Sequence, residues 1–156
     1  VQAVLKRGYG CVYLHGAPGP GKTLILKTAI AETLAGERGA VYAVWADVLD
    51  HLRAGYRDDT FDERLERWRT AGVLAIDEFG RAKESEWTAE AEVKLLDRRY
   101  DLAVSQRKGV TIFASNFPAE RYSDWLVSRL RDGRNAIVSV SGDDMRPAME
   151  WEQEPF

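Results

Sequence analysis

The sequence predicts an α/β fold, a three-layer sandwich in which helices cover both faces of a five-stranded, mostly parallel sheet. Three observations carry that expectation. Short apolar runs bounded by glycine or polar residues recur along the chain, and segments with helical spacing separate them. Within each run, consecutive positions are apolar, as in strands buried on both faces. Strands and helices that alternate in this way build a parallel sheet with crossover helices. The 156 residues, 45% hydrophobic and 30% charged, are enough for one domain with a core, spanning residues 1–156, and leave no room for a second.

The first residues lead as helix or loop into "CVYLHG" (residues 11–16), the first strand, which ends at a glycine-rich turn. "TLILKTAIAETLAG" (23–36) follows as a helix with Gly36 as its C-terminal cap. "AVYAVWA" (40–46) is the second strand. Residues 47–59 and 60–70 read as two short amphipathic helices with Asp47 and Thr60 as N-caps. "VLAIDEFG" (73–80) is a third strand ending in acids. Between residues 85 and 107, Ala89, Val93, Leu96, Tyr100 and Ala103 recur three and four apart, the spacing of one long helix. "GVTIFASN" (109–116) and "AIVSV" (136–140) supply the fourth and fifth strands. There is no internal repeat or low-complexity segment.

The formal net charge of −3 excludes a global basic field, though a local basic strip can still meet nucleic acid. A single cysteine, Cys11, allows no internal disulfide and suits a reducing compartment. No apolar run reaches the roughly 18 residues a membrane helix needs, and no leader pattern is present, so a cytoplasmic protein without membrane contact is expected. The chain begins at Val1 and not at methionine, which suggests that an upstream segment has been removed.

The chemistry concentrates in "GAPGPGKT". Gly16, Ala17, Pro18, Gly19, Pro20, Gly21, Lys22 and Thr23 satisfy the phosphate-loop spacing between a strand and a helix. Glycines let the backbone curl until its N–H groups point at phosphate oxygens, and the helix N-terminus, through Leu24, adds positive partial charge. Lys22 is placed to reach the terminal phosphates and the Thr23 hydroxyl to ligate Mg²⁺. Pro20 has no N–H and contributes stiffness only. The bland alternative is a glycine-rich turn beside a solvated lysine. Asp77 and Glu78 stand at the C-terminal edge of the third strand, where α/β sheets gather their ligand sites. There Asp77 can hold Mg²⁺ while Glu78 orients and deprotonates an attacking water; alternatively, both cap the next helix or pair with Arg81 and Lys83. Asn116, ending the fourth strand, is a candidate to hold that water in line, or else a turn residue.

Taken with "LLDRRYDL", "TIFASN" and "VSRLRDG", these segments resemble the AAA+ ATPases, a branch of the P-loop NTPases, and within them the DnaC/IstB-like helicase loaders and transposition ATPases. The resemblance covers nearly the whole chain. It implies ATP or ADP with Mg²⁺ as ligands and self-association into a ring or helical oligomer. It also implies an arginine finger, reaching the neighbouring subunit's site, at Arg129 of "SRL", with Arg131 as the second choice; a surface salt bridge from Arg129 to Asp124 or Asp132 is the alternative. Such a finger contributes about 10³ to 10⁵ in rate in related phosphoryl transfers, so an isolated subunit is expected to turn over slowly.

The two helices between the second and third strands resemble the insertion with which this branch faces DNA, which makes Arg53, Tyr56 and Arg57 candidates for phosphate tracking and base stacking. Asp50, Asp58, Asp59, Asp62, Glu63 and Glu66 share that stretch, and a merely solvated face accounts for the mixture equally well. Glu78 stands where many relatives have a second Asp, which favours hydrolysis. Only 27 residues follow Arg129, too few for a full helical lid, so a reduced or absent lid is expected, with Arg146 of "GDDMRP" as the candidate terminal arginine on the nucleotide. The resemblance implies a further N-terminal segment with which such loaders grip the helicase, expected to lie in the upstream part that was removed. The resemblance therefore implies an ATP-hydrolysing loader that assembles on single-stranded DNA and loads a hexameric replicative helicase, or else an IstB-like transposition ATPase that acts on duplex DNA with a transposase. A small-molecule kinase and a non-hydrolysing nucleotide switch are the other readings. His15 and His51 lack a second ligand at metal spacing, and the five tryptophans read as packing residues.

Overall fold

In a computed structural model the chain forms a single five-stranded sheet in the order β2-β3-β4-β1-β5. Residues 1–35 and 39–145 are described, which leaves Gly36, Arg146 and Trp151 outside the described residues. The elements run α1 (Gln2–Arg7), β1 (Tyr9–His15), α2 (Lys22–Ala35), β2 (Ala40–Val44), α3 (Trp45–Ala54), α4 (Phe61–Thr70), β3 (Val73–Asp77), α5 (Glu86–Ser105), β4 (Gly109–Ser115), a 3₁₀ turn (Ala119–Arg121), α6 (Asp124–Leu130) and β5 (Ala136–Ser139). All four strand pairings are parallel, so the expected mostly parallel sheet is wholly so.

The alternation of side chains along each strand splits the interior into two cores, one on each face of the sheet. Val12, Leu14, Val73, Ala75, Val110, Ile112 and Ala114 pack with Leu26 and Ala29 of α2. Their neighbours in the strands, Tyr13, Leu74, Ile76 and Phe113, face the other way, toward Val48, Leu52, Leu65, Leu95 and Leu126 of the helices that follow. This arrangement explains why the strands read as continuous apolar runs.

Several boundaries depart from expectation for identifiable reasons. Helix α3 starts at Trp45, not Asp47, because the Trp45 indole is fully buried with its ring 5.2 Å from that of Phe79, and the helix begins directly off β2. Val44 is its N-cap and Asp47 instead lies in the first turn, where a carboxylate complements the helix dipole. Thr60 does precede α4, but its hydroxyl is spent on side chains: it donates to Asp58 and accepts from Arg64 Nε at 2.7 Å. Strand β3 stops at Asp77 and not Gly80, because Glu78 takes a left-handed backbone (φ 51°). Helix α6, which the sequence did not announce, is capped by Ser123.

Arg99 locks the second layer to the sheet. Its side chain is 3% exposed, and its guanidinium donates to Thr111 Oγ1 (2.6 Å), the Val110 carbonyl (2.6 Å) and the carbonyls of Trp68, Arg69 and Ala71. Burial lowers its pKa to about 10, which still leaves it charged at neutral pH.

Candidate active site

β1, β3 and β4 end side by side, and the candidate residues gather at their C-terminal ends. The turn after β1 has to be glycine at Gly16, where φ is +150° and a Cβ would lie 2.0 Å from the Val140 carbonyl oxygen. Val140 N–H in turn donates to the His15 carbonyl at 2.7 Å, so the chain after β5 is tied to the start of the loop. It then runs back across the loop, and Met145 N–H donates to the Gly19 carbonyl at 3.1 Å. Lys22, the first residue of α2, is 8% exposed and its ammonium donates to the carbonyls of Gly16 (2.7 Å) and Ala17 (2.6 Å). Burial lowers its pKa, and the Asp77 carboxylate works in the opposite direction.

Asp77 is the hub of the acidic side. Its Oδ2 accepts from Thr23 Oγ1 at 2.7 Å and from the Tyr42 hydroxyl at 2.9 Å, while its Oδ1 accepts from Glu78 N–H at 2.9 Å. Tyr42 went unnoticed at the sequence level, although it lies two positions before Val44, the residue paired with Asp77 in the parallel register. Burial first, and then the bond to Asp77, pushes its phenol up to about 12. Glu78 is exposed, and its carboxylate is held by Arg81 at 2.7 Å. That pair, the alternative reading of Glu78, is itself solvent-facing and therefore weak enough to open.

Pro18, Gly19, Gly21, Lys22, Thr23, Leu24, Asp77, Glu78 and Asn116 line one cleft of about 860 Å³. Lys27 and Arg81 add two cations to the same wall, and Met145 closes one side. Among the described residues no cluster of three or more acidic, histidine or cysteine side chains forms a metal cage. The hydroxyl of Thr23 and carboxylate of Asp77, two hard oxygens at 2.7 Å, nonetheless fit Mg²⁺, which takes few protein ligands and completes its shell with water and phosphate.

Arg129 is not among the residues lining that cleft. It lines a separate cavity with Gly10, Cys11 and Asn135, between the rings of Trp125 (4.1 Å) and Tyr100 (5.1 Å), with Nη2 donating to Asp97 at 2.7 Å and Nε buried without a hydrogen-bond partner. Its ionic partner is thus Asp97 and neither Asp124 nor Asp132; Asp132 is taken by Arg134 and Tyr100. Arg131 pairs with Glu120 in the open. On the α3–α4 side, Tyr56 is 55% exposed and stacks on Phe61 at 4.4 Å, while Arg53 lies over Trp87 at 4.5 Å and bonds to Asp50. Arg57 is exposed in the turn beyond them. His15 stacks on Tyr13 and His51 packs edge-on to Trp68, so both histidines serve packing.

A phosphate loop opening a helix, an acid pair at the end of β3 and an asparagine after β4, on a parallel sheet of this strand order, define a P-loop nucleotide-binding domain of the AAA+ type. Within that class, the sequence profile of the IstB-like ATP binding proteins matches residues 7–148, and the chain belongs to that family, in the DnaC/IstB-like group. It is similar to the replicative helicase loader DnaI of Bacillus subtilis (strain 168), with 32% identity over 108 residues, covering 68% of this chain and 33% of that protein. Its fold is similar to that of the replication initiator DnaA bound to AMPPCP and single-stranded DNA (TM-score 0.77, 21% identity, 91% of this chain and 44% of that one). It is likewise similar to the DnaC helicase loader (TM-score 0.72, 19% identity, 86% and 80%). The chain thus spans about a third of the DnaI relative and under half of the DnaA structure. No helix among the described residues is long and apolar enough to cross a membrane.

Proposed function

We propose that this chain is the ATP-hydrolysing domain of a helicase loader that assembles on single-stranded DNA and delivers a hexameric replicative helicase in the cytoplasm. The observation that carries the ATPase part is the convergence of Lys22, Thr23, Asp77, Glu78 and Asn116 on one cleft. ATP binds with its phosphates on the loop 16–23, where Lys22 exchanges its two carbonyl partners for phosphate oxygens. Thr23 and Asp77 hold Mg²⁺, which supplies charge neutralisation on the phosphates. Glu78, released from Arg81, takes the proton of the attacking water, and Asn116 holds that water in line. Arg129 of an adjoining subunit completes the site once its pair with Asp97 opens and it leaves its stack between Trp125 and Tyr100, and Arg146 is the candidate for a last contact to the nucleotide. The loader assignment is supported by the likeness to DnaI, itself a replicative helicase loader.

The family profile favours a second reading, in which the chain is a transposition ATPase that acts on duplex DNA with a transposase. Fluorescence anisotropy with single-stranded and duplex oligonucleotides of equal length, with ATP present, separates the two. The loader reading predicts tighter binding to the single strand. Tighter binding to duplex, together with duplex-stimulated turnover, transfers the assignment to the transposition partner.

A further inference from the structure

Glu78 and Asn116 both have exposed side chains, so packing does not fix where they point. Their neighbours Phe79 and Ser115 are each 1% exposed, and the structure joins those two residues through a third. Ser115 Oγ donates to the Phe79 carbonyl at 2.8 Å, the Tyr122 hydroxyl meets the same carbonyl at 3.1 Å, and the two hydroxyls lie 2.9 Å apart. The backbone on either side is tied into this triangle. Phe117 N–H donates to Ser115 Oγ at 3.1 Å, Phe79 N–H donates to the Ala114 carbonyl at 2.9 Å, and the Tyr13 hydroxyl donates to the Phe117 carbonyl at 2.8 Å. Room for the phenol exists only because the next residue is Gly80, with φ +81° and a site where a Cβ would sit 2.2 Å from the Tyr122 oxygen.

We infer that Tyr122 is a positioning residue for ATP hydrolysis, its hydroxyl setting the distance between Glu78 and Asn116 by pinning the peptide after Phe79 to the end of β4; the inference rests on the ATPase reading above. Left-handed backbone at Glu78 (φ 51°) is a sparsely populated state that needs its surroundings to hold it; the Phe79 N–H bond to Ala114 is the first downstream anchor and the Phe79 carbonyl, held by Ser115 and Tyr122, is the second. The phenol touches neither nucleotide loop nor acid pair directly, so its removal acts on the placement of the reacting groups and leaves the phosphate cradle alone. The same tyrosine ends the 3₁₀ turn, and Ser123 beside it caps α6, the helix that carries Arg129.

The test is steady-state ATP turnover and binding of a fluorescent ATP analogue for wild type, Tyr122→Phe, Ser115→Ala and Glu78→Gln, each with a thermal melt. Tyr122→Phe keeps the ring and leaves the Phe79 carbonyl still bonded to Ser115, so it folds. The expected result is a kcat lower by roughly 10- to 100-fold, the scale of a misplacement of about 1 Å, with KM and nucleotide affinity within about twofold of wild type. Ser115→Ala shows the same split. Turnover of Tyr122→Phe equal to wild type overturns the inference, as does a parallel loss of turnover, affinity and melting temperature, which marks general loosening. Wild-type turnover no higher than that of Glu78→Gln removes the ATPase reading itself, and this inference with it.

Discussion

Thr23 Oγ1 lies 2.7 Å from Asp77 Oδ2, which joins the first turn of the helix after the phosphate loop to the end of the strand two places away in the sheet. The pair brings two hard oxygens together at the mouth of the cleft, with Tyr42 donating to the same carboxylate oxygen. Thr23→Ala is expected to lower nucleotide affinity in Mg²⁺ by at least the roughly tenfold that loss of even an outer partner of a bound metal costs. In EDTA the variant and wild type should bind alike. Titration of a fluorescent ATP analogue with and without Mg²⁺ checks this, and an equal deficit in EDTA would show that Thr23 serves the loop and not the ion.

If Glu78 is the general base proposed above, Glu78→Gln removes it while keeping the shape of the side chain. Turnover is expected to fall roughly 10²- to 10⁴-fold, the usual contribution of a positioned base, with nucleotide binding retained. Steady-state hydrolysis and equilibrium binding on one preparation read both quantities. A variant that still turns over would pass the base role to another group.

Arg99 donates to five acceptors from a site that is 3% exposed, one a hydroxyl and four of them backbone carbonyls. Arg99→Lys keeps a charge but has no planar fork, so it cannot serve both the buried acceptors on β4 (Thr111 Oγ1 and the Val110 carbonyl) and the half-buried carbonyls at the α4–β3 junction. The expected cost is about 2 to 4 kcal/mol in urea unfolding, since a buried group left unpaired costs about 1 to 3 kcal/mol. A loss under about 0.5 kcal/mol, the range of an ordinary surface change, would contradict the structural role.

Glu92 sits on α5 near Glu84 and Tyr122. Burial, and then the charge of Glu84, raises its carboxyl from the usual 4.5 to about 7. Between those values the folded protein holds a proton that the unfolded chain has released, so stability falls as pH rises from about 4.5 to about 7. Burial raises Tyr122 as well, and Arg121, which faces Glu84 at 3.8 Å, is exposed. Glu92→Gln removes this dependence: melts from about pH 5 to about pH 8 should show the variant gaining on wild type as pH rises. Parallel curves would refute it.

How far the sequence could be read follows from the range of each signal. The phosphate loop is local, so Gly16 to Thr23 and the strand and helix around them were legible, as were all five strands from their apolar runs, although β5 at the sheet edge is largely exposed, with Ile137 and Val138 open to solvent. Helix α6 has seven residues, too short for a helical period to declare itself beside Pro118 and Gly133. The start of α3 was decided by burial of Trp45 against Phe79, a contact between positions far apart in the chain, and so the capping signal at Asp47 misled. The hydroxyls of Tyr42 and Tyr122 reach Asp77 and Phe79 only through sheet register and a tertiary turn, and neither position carries a mark of its own. The motif singles out Arg129 as a candidate only, and its clasp by Asp97, Trp125 and Tyr100 depends on how α5 meets α6.

Tyr56 presents an exposed ring backed by Phe61, whereas the guanidinium face of Arg53 is already covered by Trp87. If the α3–α4 side meets single-stranded DNA, Tyr56→Ala should weaken binding by about 1 to 3 kcal/mol, the value of one stacked base. Arg57→Ala should weaken it less and lower the salt slope by about 0.7. Anisotropy titrations at several salt concentrations measure both, and unchanged binding in the two variants would place the DNA elsewhere.

An ATP site that a second subunit completes can be rebuilt from two inactive variants, each supplying what the other lacks. Arg129→Ala keeps an intact cleft, and Glu78→Gln keeps an intact Arg129. In the presence of single-stranded DNA each alone should be nearly inactive, and an equimolar mixture should recover turnover that rises faster than linearly with protein concentration. Arg129→Ala as active as wild type at every concentration, with no gain on mixing, would contradict the account and describe a self-contained site.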